Sequence, residues 1–177
     1  TKYLPKKIHT LGGRIVHEFT IGENLIYASK MGSGSVVTAI SATTLLSNFQ
    51  VDHVFSAGPA AGIKDPLEIG TWYFVDRHMP YHVGSHKPGG FVNSGDWVEL
   101  EKVSEHVLSG VTATSGEVFV ASNRERDRIA SLTGASILEM NLHGLSEATE
   151  ARNIPLSCIR VISDYGDDNA SEDFAKF

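Results

Sequence analysis

The segment Ile154-Pro155-Leu156-Ser157-Cys158-Ile159-Arg160-Val161-Ile162-Ser163-Asp164 ends an apolar run on a carboxylate. β-Branched and aliphatic residues following a proline predict a buried strand. Such a strand has no use for an acid, and ligands in α/β sheets bind just beyond strand carboxyl ends. Asp164 would sit at such an edge, at the mouth of a cleft. Two further segments gather small or polar residues at predicted strand ends, Gly58-Pro59-Ala60-Ala61-Gly62 and Gly116-Glu117-Val118-Phe119-Val120. Glu139-Met140-Asn141 stands where a strand hands over to a helix. If these strands are neighbours, all four features meet at one sheet edge. Gly32-Ser33-Gly34-Ser35 precedes a helix and could receive an anion on free N–H groups, although Ser33 or Ser35 could equally cap that helix. It matches neither the phosphate-binding loop with a terminal lysine nor the dinucleotide fingerprint.

The elements that must position these residues alternate between strand and helix. Arg14–Thr20 and Asn24–Ser29 predict a hairpin around Gly22-Glu23-Asn24. Val36–Asn48 predicts a helix, with Val36, Ile40, Thr43 and Leu46 as its apolar stripe. Strands are expected at Val51–Ala57, turning at Gly58–Gly62, and at Thr71–Val75, Val111–Thr114, Val118–Ala121 and Ala135–Leu138. Asp76–Asp96 reads as a long loop, Val98–Val107 as a short helix, and Asn123–Leu132 and Met140–Asn153 as helices. This order predicts an α/β fold with a mixed, largely parallel sheet. In the loop, His78, His82 and His86 are spaced four apart, but Pro80 and the glycines preclude a continuous helix. A helical metal site is therefore not expected, and a solvated loop, or a loop touching another subunit, is the better reading. Asp167, Asp168, Glu172 and Asp173 read as a solvated loop or helix start.

At 177 residues, 41% hydrophobic and 20% charged, the chain is expected to form one domain, 1–177. A net charge of −6 without a Lys/Arg run argues against a nucleic-acid partner. No apolar run is long enough for a membrane span. Cys158 is the single cysteine, which fits a reducing, cytoplasmic compartment and a small core side chain.

With these pieces placed, the chain resembles the nucleoside phosphorylase and nucleosidase superfamily, most of all the methylthioadenosine/S-adenosylhomocysteine nucleosidase branch. The resemblance is carried in order by Met31–Leu46, Phe55–Gly62, Ile69-Gly70-Thr71, Ser115–Val120, Glu139-Met140 and Arg160-Val161-Ile162-Ser163-Asp164. It implies a three-layer fold with a central sheet flanked by helices, incomplete here at its first strand and last helix. It implies cleavage of a purine N-glycosidic bond by hydrolysis, with Asp164 protonating the departing base. Alternatives are a purine nucleoside phosphorylase, with phosphate as co-substrate, and a catalytically silent nucleoside binder. By the same resemblance, Ala60 and Ala61 lie beneath the nucleoside, Phe119 stacks on the base and the backbone of Val120 reads its edge. Phe174 lids the base, and Glu139, Met140 and Asn141 hold the ribose, with Gly32 and Ser33 on a possible anion- or ribose-side loop. Asn141 stands where the family places a Glu. No metal or other cofactor is implied, and the family's habit of pairing subunits implies a homodimer.

Overall fold

The computed structural model describes residues 4–64, 67–102 and 108–177, with Leu108 and Ser109 described in backbone only. A three-stranded antiparallel meander opens the chain: β1 (Lys7–Leu11), β2 (Arg14–Ile21) and β3 (Asn24–Ser29). The β2–β3 hairpin agrees with its turn chemistry, while β1 carries too little alternation to announce itself. The meander hands the chain through Met31–Gly34 to α1 (Ser35–Asn48).

The central sheet comprises β4 (Val54–Gly62), β5 (Trp72–Pro80), β8 (Val98–Glu99), β9 (Leu108–Ser115), β10 (Ile137–Glu139) and β11 (Leu156–Asp164). A separate hairpin, β6 (Gly84–Lys87) with β7 (Gly90–Asn93), projects between β5 and β8. The sheet order is β11-β4-β10-β9-β5-β8, and β11 also pairs with β5, so five strands close on themselves. The long pairings, β11 with β4 and β5 with β9, are parallel, as is β10 with β9. The antiparallel pairings of β10 with β4, β11 with β5 and β5 with β8 are shorter. The sheet is thus mixed and largely parallel, as the alternation of elements predicts.

Helices flank it on two faces. Leu142, Leu145 and Ala148 of α3 (Leu142–Glu150) and Ala42 of α1 join Ile137, Cys158 and Ile162 in one core cluster. Ile129 of α2 (Asn123–Thr133) joins Leu138, the strand neighbour of Ile137, in the other. This alternation along β10 is what a strand buried on both faces requires. α4 (Ala170–Lys176) packs near the end of β11. α1 and α3 approach closely at Gly144, where a β-carbon would overlap the Ser35 carbonyl.

Several expectations give way. The stretch Gly58–Gly62 is no turn: β4 runs through it. Pro59 is tolerated because β4 pairs with β10 only at Ala61 and Gly62, leaving that side of Pro59 unpaired. The expected loop 76–96 contains the second half of β5, where register shifts at Tyr73/Val75 and Val75/Arg77 break the alternation that marks a strand. His78 is accordingly buried in β5 and cannot be a subunit contact. Val98–Glu99 is strand, Leu100–Lys102 is not helical, and the rest of the helix expected to Val107 lies outside the described residues. Val118–Ala121 forms no strand. On α1 the stripe read as buried faces out: Val36 is 67% and Ile40 60% exposed, while Thr38, Ser41, Ala42 and Leu45 face in. Small polar side chains win that face because α3 lies too close for larger ones.

Candidate active site

A cavity of about 830 Å³ opens at the carboxyl ends of β4, β10 and β11. All the predicted site residues line it: Gly32, Ser33, Ala60, Ala61, Phe119, Val120, Glu139, Met140, Asn141, Asp164 and Phe174. Its floor is the small-residue run of β4, where any bulkier side chain would fill the space.

Asp164 reaches the cavity through an irregularity. The β11–β4 register pairs Ile162 with Ala60 and Asp164 with Ala61, so Ser163 has no ladder partner. A bulge of this kind turns side chains off the strand's regular faces. The Asp164 side chain is almost fully buried, and burial pushes its carboxyl above the usual range. Two neutral donors moderate the effect: Gly166 N–H to Oδ1 at 2.9 Å and the Ser163 hydroxyl to Oδ2 at 2.8 Å. Among the described residues no cation pairs with it. A carboxyl in that setting holds a proton more readily than an exposed one and can deliver it into a reaction.

Glu139 is a different kind of acid. Arg160 Nη2 donates to its Oε2 at 2.9 Å, as does the Asn141 N–H at 2.8 Å. The Leu142 N–H is shared between its oxygens at 2.9 and 3.0 Å, and the Ser115 hydroxyl donates to Oε1. Ser115 is its cross-strand partner in β9, and Asn141 and Leu142 begin α3, so one carboxylate ties two strands and a helix N-terminus together. Its oxygens are committed within the protein, which weighs against Glu139 itself holding the ribose; its bonds fix the N–H groups of Asn141 and Leu142 at the start of α3. Arg160 is equally committed, bonding Ser56 Oγ and the Ile159 carbonyl besides Glu139.

The Gly-rich turn is also corrected as an anion site. The N–H of Ser35, at the start of α1, donates to Glu117 Oε1 at 2.8 Å. These bonds from Ser35 hold the Glu117 carboxyl below its usual range. Gly34 permits the contact, because a β-carbon there would lie 2.6 Å from Glu117 Oε2. The helix N-terminus thus already holds the chain's own carboxylate, and neither Ser33 nor Ser35 caps it with a side chain. Gly32 and Ser33 remain as cavity wall.

Phe119 and Phe174 meet edge to face, ring centroids 5.5 Å apart at 71°. They form one aromatic wall, so a base can rest against them but not between them. Among the described residues nothing bonds the backbone N–H or carbonyl of Val120, leaving both for a ligand. No three His, Cys, Asp or Glu side chains among the described residues converge as metal ligands. Cys158, away from the cavity, is fully buried and its thiol is pushed up to about 12, so it is inert.

Thr38, Ser115, Glu117 and Ser163 are not among the predicted site residues. Thr38, Ser115 and Glu117 act through contacts tens of residues away, which sequence does not show, while Glu117 and Ser163 lie in strand-end segments the sequence marks without assigning them a role.

The Phosphorylase superfamily model matches residues 2–177, and the chain belongs to that superfamily. It is 27% identical over 190 residues to the 5′-methylthioadenosine/S-adenosylhomocysteine nucleosidase of Actinobacillus succinogenes, covering 97% of this chain and 82% of that protein. It is 26% identical over 171 residues to the same-named protein of Staphylococcus aureus, covering 86% and 74%. Among solved structures it superposes on the nucleosidase of S. pneumoniae bound to a transition-state inhibitor, with a TM-score of 0.87 at 22% identity, covering 99% of this chain and 84% of that one. A Helicobacter pylori futalosine hydrolase mutant gives 0.84 at 22% identity, covering 97% and 81%.

Proposed function

We propose that this protein hydrolyses the N-glycosidic bond of a purine nucleoside of the methylthioadenosine/S-adenosylhomocysteine type. The observation that carries the reading is Asp164: a desolvated carboxyl, paired with no cation among the described residues, lining a large cavity at the sheet's carboxyl edge. The nucleosidases to which the chain is similar supply the substrate class.

A purine rests against the Phe119–Phe174 wall with its edge at the Val120 backbone. Asp164 donates its proton to N7, the C1′–N9 bond breaks, and its electron pair leaves with the now neutral base. Water adds to the oxocarbenium-like C1′ and loses a proton, giving free purine and the sugar. General-acid assistance of this kind contributes about 10²–10⁴-fold. Met140 packs on the sugar and Asn141 bonds its hydroxyls. Water is favoured over phosphate because the α1 N-terminus already holds Glu117 and the Arg160 charge is met by Glu139. No step needs a metal or redox cofactor. The outward apolar strip Val36, Val37 and Ile40 on α1 supports a homodimer.

The test is to incubate the protein with methylthioadenosine, adenosine and inosine, with and without phosphate, and to measure free base. Phosphate-independent release of adenine is expected. Release only with phosphate would make it a phosphorylase, and no release with nucleoside-induced thermal stabilisation would make it a binder.

A further inference from the structure

Asn141 is held in a single orientation, and that orientation decides what it can offer a sugar. Its Nδ2 donates to the Gly32 carbonyl at 2.7 Å and to Thr38 Oγ1 at 2.6 Å. A carbonyl only accepts, so the amide nitrogen and not the oxygen must face Gly32. Both hydrogens of the amide are then committed. Among the described residues nothing bonds Oδ1, and Asn141 lines the cavity. Thr38 is fully buried at the α1–α3 contact, and nothing in the proposed reaction uses it directly.

We infer that Thr38, Asn141 and the Gly32 carbonyl form one sugar-recognition unit that presents a single neutral acceptor, so that the substrate class extends to deoxynucleosides. The inference rests on the proposed nucleosidase reading. Asn141 touches the sugar; Thr38 is a positioning residue acting through it. A carboxylate would grip a diol more strongly, since charge-assisted bonds are roughly twice as strong. This site cannot use one. An isosteric Asp would place a carboxylate oxygen where Nδ2 now lies, against the Gly32 carbonyl oxygen. Thr38 could rotate its hydroxyl to donate, but the carbonyl has nothing to donate. The neutral acceptor is therefore built in by Gly32, and losing one sugar hydroxyl forfeits only a neutral hydrogen bond, about 2- to 12-fold in kcat/KM.

The test compares kcat/KM for adenosine with its 2′-deoxy and 3′-deoxy counterparts. The 3′-deoxy arm avoids the greater intrinsic lability of a 2′-deoxy glycosidic bond. In the wild-type protein the 3′-deoxy penalty is expected at about 2- to 12-fold; a penalty above about 12-fold, where the charge-assisted range begins, overturns the inference. In Thr38→Val adenosine loses more than 3′-deoxyadenosine and the penalty falls towards parity, because the loosened amide no longer grips the hydroxyl. Equal loss on both substrates would make Thr38 merely structural and overturn it. Asn141→Asp is expected to lose at least about tenfold on adenosine despite its stronger acceptor, and a rate at or above wild type overturns it. Cleavage of none of the three, or of methylthioadenosine, refutes the nucleosidase reading and this inference with it. A steep deoxy penalty refutes this inference alone.

Discussion

Replacing Glu139 by Gln should destabilise the protein far more than an isosteric change normally does. The carboxylate receives bonds from Arg160, Ser115 and the N–H groups of Asn141 and Leu142, and its side chain and that of Arg160 are 1% and 3% exposed. In Gln, the amide nitrogen must take one of the two oxygen positions. At Oε2 it would meet three donors, Arg160 Nη2, the Asn141 N–H and the shared Leu142 N–H. At Oε1 it would meet Ser115, whose hydroxyl can turn to accept, and the Leu142 N–H, which cannot. The second arrangement costs less, but it still leaves a buried guanidinium without its counter-charge. Breaking one side of a buried ion pair costs about 3–5 kcal/mol. In a chain of this size that lowers Tm by about 6–20 °C. Thermal and urea unfolding would measure it, with the double variant Glu139→Gln/Arg160→Met as the control. Removing both charges should recover part of the loss, because most of it is the stranded cation rather than the pair itself. A single variant within about 1 kcal/mol of wild type, or a double variant destabilised by the full sum of the two singles, would refute the view that Glu139 organises the site.

Further outcomes follow from the same geometry. Asp164→Asn should abolish base release, yet Tm at pH 7 should hold or rise. The folded carboxyl lies above its unfolded value, so its favourable contribution is present below about pH 3.8 and lost as pH rises through the folded value; at neutral pH the ionised group costs stability, and Asn removes that cost. A Tm loss of several degrees would show that Asp164 is structural. For the same reason kcat/KM should fall as pH rises through the Asp164 value, and a profile flat from acid to neutral pH would remove it as the acid. His78 acts in the opposite sense. Desolvation holds its buried ring at about 4 against 6.5 unfolded, and neither ring nitrogen has a partner among the described residues. Its contribution is complete above about pH 6.5 and is lost as pH falls towards 4, about 3 kcal/mol at about 1.4 per pH unit. His78→Leu should flatten that slope in urea titrations run across the range. Gly144→Ala should force α1 from α3 at Ser35 and cost about 1–3 kcal/mol, read by thermal unfolding, with no effect if the helices are free to separate.

Much of the fold is legible in the chain because its strands carry buried β-branched runs and its helices carry punctuation. Leu156–Asp164 and the Leu142–Leu145–Ala148 stripe both fall where periodicity puts them. Legibility fails where pairing, not pattern, decides. β5 runs through Asp76 and Arg77 because its bulges interrupt alternation, and β4 runs through Gly58-Pro59 because its neighbour is short. The outward face of α1 misleads for a related reason. Val36 and Ile40 look like core, but the close approach of α3 reserves the inner face for Thr38, Ser41 and Ala42. In the site, residue types point to the right positions and to some wrong roles. Glu139 is indistinguishable by type from a ligand-binding acid until the four groups that saturate it are located.

The two buried acids differ in ways that favour Asp164 over Glu139 as the proposed proton donor. Both line the same cavity, and both sit at the carboxyl ends of central strands. What separates them is the company each keeps. Glu139 faces a guanidinium, a hydroxyl and two N–H groups at the start of α3, so its oxygens are bonded within the protein. Asp164 faces one hydroxyl and one N–H, with burial first and then the Asp167 and Asp173 charges disfavouring its ionised form, so a proton relieves its desolvation instead of competing with a cation. The assignment depends on the bulge at Ser163: in regular register, Asp164 would continue the strand's alternation and its side chain would lose both donors. Replacing Ser163 by Ala removes the hydroxyl that steadies the charged form, so the Asp164 carboxyl should rise further and the alkaline limb of kcat/KM should move to higher pH. A limb that moves to lower pH would mean that the Ser163 hydroxyl stabilises the acid form, contrary to the geometry.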